Sequence, residues 1–218
     1  MIVAVTGLKR EARIIKSPDV RIVIGGGHDL DNKLGVALDG ARGIISIGIA
    51  GGLSPDLKPG DCVIATEVAS GTERLLADMA WRRTLMQVLP FAKTALIAGS
   101  DTISASIDAK AALHRDTRAR VVDMESHIVA RVAQARKIPF AALRVVSDAY
   151  DRALPHAALA AMKPDGGINV GAVIVSLLTR PWQIPALMRT ARDANAAFAT
   201  LLRCRSLLGP RLGFPDLG

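Results

Sequence analysis

Short, nearly unbroken apolar runs alternate along the chain with stretches of helical period, the pattern of buried strands joined by helices. Strands are predicted at residues 2–5, 20–24, 43–49, 63–66, 94–98, 121–122 and 140–146. A charged helix opens at Lys9-Arg10-Glu11-Ala12, and a basic helical stretch containing Trp81, Arg82 and Arg83 spans 74–89. Another helix runs over 124–136 with Ile128, Val129 and Val132 on one side, and Pro139 marks the break after it. Residues 168–178 predict a very apolar helix packed on the sheet. The final helix, about 185–203, carries Leu187, Ala191, Ala194, Phe198 and Leu201 on one stripe. The expected fold is α/β: one three-layer domain over 1–218, with a central mixed, largely parallel sheet flanked by helices.

The stretch 118–148 organises the rest, because it reads as strand, helix, strand. If its two strands are parallel neighbours with a right-handed crossover, Glu125 and Asp148 both lie just past carboxyl ends of strands, where open α/β sheets bind ligands. Other strand ends carry small or polar residues. The first leads into Thr6-Gly7, with Glu11 shortly beyond, and the second into Gly25-Gly26-Gly27-His28. The third ends in Gly48-Ile49-Ala50-Gly51-Gly52, where small residues let several amide N–H groups face one concavity suited to an anion or an oxygen-rich ligand. The run 94–98 ends in Gly99-Ser100-Asp101-Thr102, so Ser100 either meets a ligand or belongs to a cap of the next helix.

At 218 residues and half apolar, the chain can bury a substantial core. Lysine and arginine outnumber aspartate and glutamate by 28 to 20, a balance that favours an anionic partner: phosphate, a membrane surface or nucleic acid. Aromatics make up only 3% and the arginines are dispersed, which argues against a nucleic-acid-binding module. Cys62 and Cys204 are far apart in sequence with no metal-like or redox-like spacing, so no metal is expected and a reducing cytoplasm fits. No apolar run reaches the roughly 18–20 residues of a spanning helix.

Asp-Met-Glu at 123–125, Arg-Val-Val-Ser-Asp at 144–148 and the Gly-Ile-Ala-Gly-Gly-Leu turn at 48–53 together resemble the nucleoside phosphorylase/nucleosidase superfamily. This family includes purine nucleoside phosphorylases and methylthioadenosine/S-adenosylhomocysteine nucleosidases. The resemblance implies that Met124 and Glu125 hold the ribose, that Asp148, beside Ser147, protonates the purine, and that Glu11 binds the nucleophilic water or a ribose hydroxyl. It also places Ala50, Gly51, Gly52 and Ser100 near the substrate, and implies a homo-oligomer without a cofactor. Where similar nucleosidases carry a base-stacking Phe, this chain has Asp116-Thr117-Arg118. The continuation Ser-Asp-Ala-Tyr-Asp-x-x-Leu-Pro at 147–155 looks most like the hopanoid-associated branch, whose members remove adenine from the lipid-linked nucleoside adenosylhopane.

Breaking a purine–ribose bond gives the sugar oxocarbenium character while electrons flow into the base, which must be neutralised. An aspartate has a reference pKa near 3.9, so the acid role requires Asp148 to be raised by desolvation at its buried strand end. Glu125, ionised, would accept hydrogen bonds from both ribose hydroxyls. Arg144 reads as a buried arginine paired with a carboxylate. Glycines and basic residues near two strand ends, Gly7, Arg10 and His28, favour inorganic phosphate as co-substrate over water, with a hydrolytic methylthioadenosine-type nucleosidase as the alternative. A nucleoside-binding protein without turnover is the third reading. The last helix reads as core packing or a subunit contact, or as a peripheral contact with an anionic inner membrane.

Overall fold

The computed structural model describes residues 1–26, 28–161, 166–167 and 169–215. Gly27, Ile168 and the side chain of His28 lie outside this description. Strand β1 (Ile2–Thr6) sits between β2 (Val20–Ile24) and β3 (Gly43–Gly52), parallel to both. Other strands are β4 (Cys62–Ser70), β5 (Glu73–Leu76), β6 (Lys93–Gly99), β7 (Val121–Asp123) and β8 (Phe140–Asp148). β8 runs parallel to β3 and antiparallel to β4; β4 carries β6 in parallel and β5 antiparallel. β7 is parallel to β6, and its other edge returns to β3, antiparallel at Gly51 and Gly52. The expected mixed, largely parallel sheet is therefore present, and part of it closes on itself through β3, β8, β4, β6 and β7.

This closure corrects one expectation. β7 and β8 are not parallel neighbours, because β3 lies between them. The β3–β8 register shifts between Ala50 and Gly51, and beyond that irregularity the end of β3 also pairs with β7.

Side-chain alternation decides which helix covers which face. Val3, Val5, Ile44, Ala142 and Val146 meet Leu30 and Leu34 of α2 (His28–Ala37) and Ile128, Val129 and Ala133 of α5 (Ser126–Arg136). Ile2, Ala4, Ile45, Leu143 and Val145 face the other way, toward Ile15 of α1 (Lys9–Ile15), Trp81 and Leu85 of α3 (Met79–Val88), and Phe198 and Leu201 of α8 (Ile184–Leu208). Trp81 is fully buried, its Nε1 donating to Leu212 O at 3.1 Å and its ring meeting Phe214 edge-on at 4.8 Å.

Two further expectations change. The stretch 74–89 is not one helix: Gly71, at φ +58°, lets the chain turn back so that Arg74 and Leu75 pair with β4, and α3 begins only after Asp78, whose side chain accepts from Trp81 N at 2.8 Å. The apolar segment forms α7 (Val170–Thr179), which among the described residues packs chiefly on α6 (His156–Ala161) and the 3-10 turn Pro181–Gln183 rather than on the sheet. Cys62 and Cys204, distant in sequence, meet in the core with their Sγ atoms 3.7 Å apart, because α8 lies across β8 and the neighbouring end of β4.

Candidate active site

The site is built from strand ends. Asp123, last residue of β7, accepts from the amides of Glu125 (3.0 Å) and Ser126 (2.8 Å), fixing the bend that carries Met124 and Glu125 ahead of α5. That cap is why α5 starts at Ser126 rather than at Met124. Arg144 projects from the middle of β8 into this bend. Its Nε lies 2.7 Å from Asp123 Oδ2, and its Nη2 donates to Glu125 Oε2 at 3.1 Å and to Ser46 Oγ at 2.5 Å. The expectation of a buried arginine paired with a carboxylate is met twice.

Glu11, in the first turn of α1, reaches the same place from the other side. Its Oε1 accepts from Ile49 N at 2.7 Å and its Oε2 from Leu8 N at 2.8 Å. Two glycines make this convergence possible by lacking side chains. A Cβ on Gly7 would lie 2.6 Å from Glu125 Oε1, and one on Gly48 would strike the Glu11 carboxylate and come within 2.9 Å of Arg144 Nη1. The anion that a β3 amide holds is thus the protein's own Glu11, which revises the idea of the turn as an open anion cradle.

Three buried carboxylates share one guanidinium. Burial pushes Glu125 up to about 8, with Arg144 opposing and Asp123 and Glu11 adding to the rise. Burial also raises Glu11, against the pull of Arg144 and of the Ile49, Leu8 and Gly7 amides. Desolvation outweighs what one shared arginine supplies, so the site pulls Glu125 toward its protonated form and against the ionised form expected of it.

Asp148 ends β8, further along the strand from Arg144 and level with Gly51 of β3. A Cβ on Gly52 would press on the Asp148 carbonyl at 2.9 Å, so that glycine makes room for β8, whereas one on Gly51 would come closest to Val122 of β7, at 3.3 Å. Ser147 Oγ lies 2.7 Å from Asp148 Oδ1 and 3.1 Å from Ala50 O, as expected of a residue that orients the carboxylate. Lys110, on α4 (Ile107–Thr117), is an unforeseen neighbour: its ammonium is hydrogen-bonded to Asp148 Oδ2. Asp148 belongs to a buried ion pair and does not stand alone in an apolar setting.

Other candidates lie elsewhere. Arg10 points off the outer side of α1, its guanidinium donating to Asn195 at 3.0 Å and stacked 4.0 Å over the Phe198 ring, so helical periodicity removes it from Glu11's side. Ser100 uses its hydroxyl within its own loop, bonded to Thr102 O at 2.8 Å, while Ser106 caps α4. Two open grooves of about 530 and 560 Å³ are lined by other residues and contain none of the site carboxylates. No sequence motif marks Lys110, Ser46 or Ser126 in advance; Asp123 was visible only as part of Asp-Met-Glu.

This fold, with carboxylates converging on strand ends, defines an enzyme acting on nucleoside N-glycosidic bonds. The chain belongs to the phosphorylase superfamily, whose family model matches residues 29–179. Among solved structures, a mutant of Helicobacter pylori 5′-methylthioadenosine/S-adenosylhomocysteine nucleosidase with 5′-methylthioadenosine in its active site is 16% identical, with a TM-score of 0.65, covering 92% of this chain and 95% of that one. The Campylobacter jejuni nucleosidase of the same name is 19% identical, with a TM-score of 0.62 and coverage of 93% and 98%. Futalosine hydrolase of Helicobacter pylori is 18% identical, with a TM-score of 0.63 and coverage of 82% and 97%.

Proposed function

We propose that the protein cleaves the N-glycosidic bond of an adenine nucleoside with water as nucleophile. The observation that carries this reading is the pairing of Glu11 and Glu125 around Arg144. The guanidinium beside them is already taken up by Asp123, Glu125 and Ser46, so it offers little to an entering phosphate dianion. A Glu11 carboxyl raised by burial is a stronger base than an ordinary glutamate, which suits the activation of water instead. In this reading Glu11 takes the proton of the attacking water, Glu125 accepts from the ribose hydroxyls, and Asp148, oriented by Ser147, delivers a proton to the departing base. The solved relatives named for methylthioadenosine cleavage support the same substrate class. The test is product analysis with adenosine and methylthioadenosine. Free sugar at an equal rate with and without phosphate supports hydrolysis; sugar 1-phosphate formed only with phosphate overturns it and restores phosphorolysis.

A second reading concerns the 5′ side of the nucleoside. Trp182 is 72% exposed, and Val175, Ile184 and Met188 are exposed beside it in sequence, with Arg180, Arg189 and Arg192 interspersed. This combination favours a lipid-linked adenosine such as adenosylhopane, taken from an anionic membrane surface. Among the described residues no helix is long and apolar enough to cross a membrane.

A further inference from the structure

Lys110 is 1% exposed, yet its surroundings are those of a group held in place for use. Besides Asp148 Oδ2, its ammonium donates to Ala149 O at 2.8 Å and Arg152 O at 3.0 Å, so each of its three hydrogens has an acceptor. Two of those acceptors are main-chain carbonyls just after Asp148, and they fix Nζ against the carboxylate. As a stability device such a pair is weak, since burying both charges costs roughly what their attraction returns. Arginine would have made a more permanent cation. Lysine differs in being able to give up its proton.

We propose that Lys110 is a positioning residue that stores the proton for the leaving base and acts on that base through Asp148. The inference rests on the reading of Asp148 as the group facing the base. Lys110 passes one proton from Nζ to the Asp148 carboxylate only as that carboxyl passes one on to the departing base, because a separate transfer from lysine to aspartate would be steeply uphill. As the C1′–N9 bond breaks, its electron pair enters the purine and the Asp148 carboxyl protonates N7, so Asp148 ends as carboxylate and Lys110 as amine. Water bonds to C1′ and gives its proton to Glu11. The proton gained there equals the one Lys110 lost, and exchange with solvent restores both groups after the products leave. Arg152 pairs with Asp193, Asp123 pairs with Arg144, and His114 Nδ1 is hydrogen-bonded to Ala119 O.

The test measures kcat and KM against pH on adenosine for the wild type, Lys110→Met, Lys110→Arg and Asp148→Asn, with 4-nitrophenyl β-D-ribofuranoside as a substrate whose leaving group needs no protonation. Both Lys110 variants are expected to lose about 10²-fold in kcat on adenosine. KM should change little, kcat should begin to fall at a lower pH than in the wild type, and the loss on the nitrophenyl riboside should be much smaller. Lys110→Arg keeps the buried positive charge and carries the test if Lys110→Met does not fold. A fully active Lys110→Arg with an unchanged pH profile, or equal losses on both substrates, overturns the proton store. Wild-type adenosine cleavage by Asp148→Asn overturns the parent reading instead, so the two failures are distinguishable.

Discussion

Arg144 Nη2 donates to Glu125 Oε2 at 3.1 Å, and this contact ties the middle of β8 to the bend before α5. The same guanidinium lies 2.7 Å from Asp123, whose carboxylate caps that bend. Removing the arginine leaves Asp123 and Glu125 in a dry site without the cation they share. Arg144→Met is expected to destabilise the fold by about 3–5 kcal/mol, the usual consequence of breaking a buried ion pair from one side. Urea unfolding followed by circular dichroism measures it; a loss below about 1 kcal/mol would show that the cluster is not held by this charge.

Stability should fall as pH rises through the neutral range. An unfolded glutamate gives up its proton near 4.5, whereas buried Glu125 keeps its own up to about 8. Between those values the folded state binds more protons than the unfolded one, so folding is favoured at the acid end and the advantage is lost toward pH 8. Glu11, raised in the same direction, adds to the slope. Tm recorded from pH 5 to 9 should decline in the wild type and decline less in Glu125→Gln. Parallel curves for the two proteins would contradict the raised carboxyl.

Asp148→Asn keeps the shape of the side chain and removes its capacity to carry a proton. Adenine release should drop on the order of 10²–10⁴-fold while the circular dichroism spectrum stays unchanged. Undiminished release would remove Asp148 from the chemistry.

Glu125→Gln tests the sugar side. If Glu125 accepts from the ribose hydroxyls, its loss should weigh more on a riboside than on the 2′-deoxyriboside, because the deoxy substrate has already forfeited one of those bonds. Losses of equal size on the two substrates would count against the role. Glu11→Gln has a different signature. A glutamine has one acceptor oxygen for the two amides of Leu8 and Ile49, so about 1–3 kcal/mol of stability should go together with the base activity.

The exposed apolar and basic residues at the start of α8 predict salt-sensitive binding to anionic vesicles, and Trp182→Ala together with Arg189→Ala should weaken it. A long apolar 5′ substituent should raise kcat/KM over methylthioadenosine. Absence of vesicle binding, with methylthioadenosine cleaved as efficiently as the lipid-linked nucleoside, would leave only the hydrolytic reading on small substrates.

The apolar runs determined the strands, because a segment such as Phe140–Asp148 that is buried on both faces must be continuously apolar except where it carries function. Arg144 and Asp148 stand out in that run for this reason, and Glu125 stands out because it follows another run. The class of chemistry was legible from these residues together with the glycines of β3. What the sequence could not supply was partnership. Helical spacing alone does not say which face of α1 meets the sheet, and the structure turns Glu11 inward and Arg10 outward. Nor does local pattern say that the end of β3 pairs with β7, which sets Glu125 and Asp148 around one bent strand end. Lys110 reads as an ordinary helical lysine among alanines. Only the packing of α4 beside the end of β8 buries it against Asp148, since an ion pair between residues distant in sequence depends on the whole chain's closure and leaves no periodic trace in either segment.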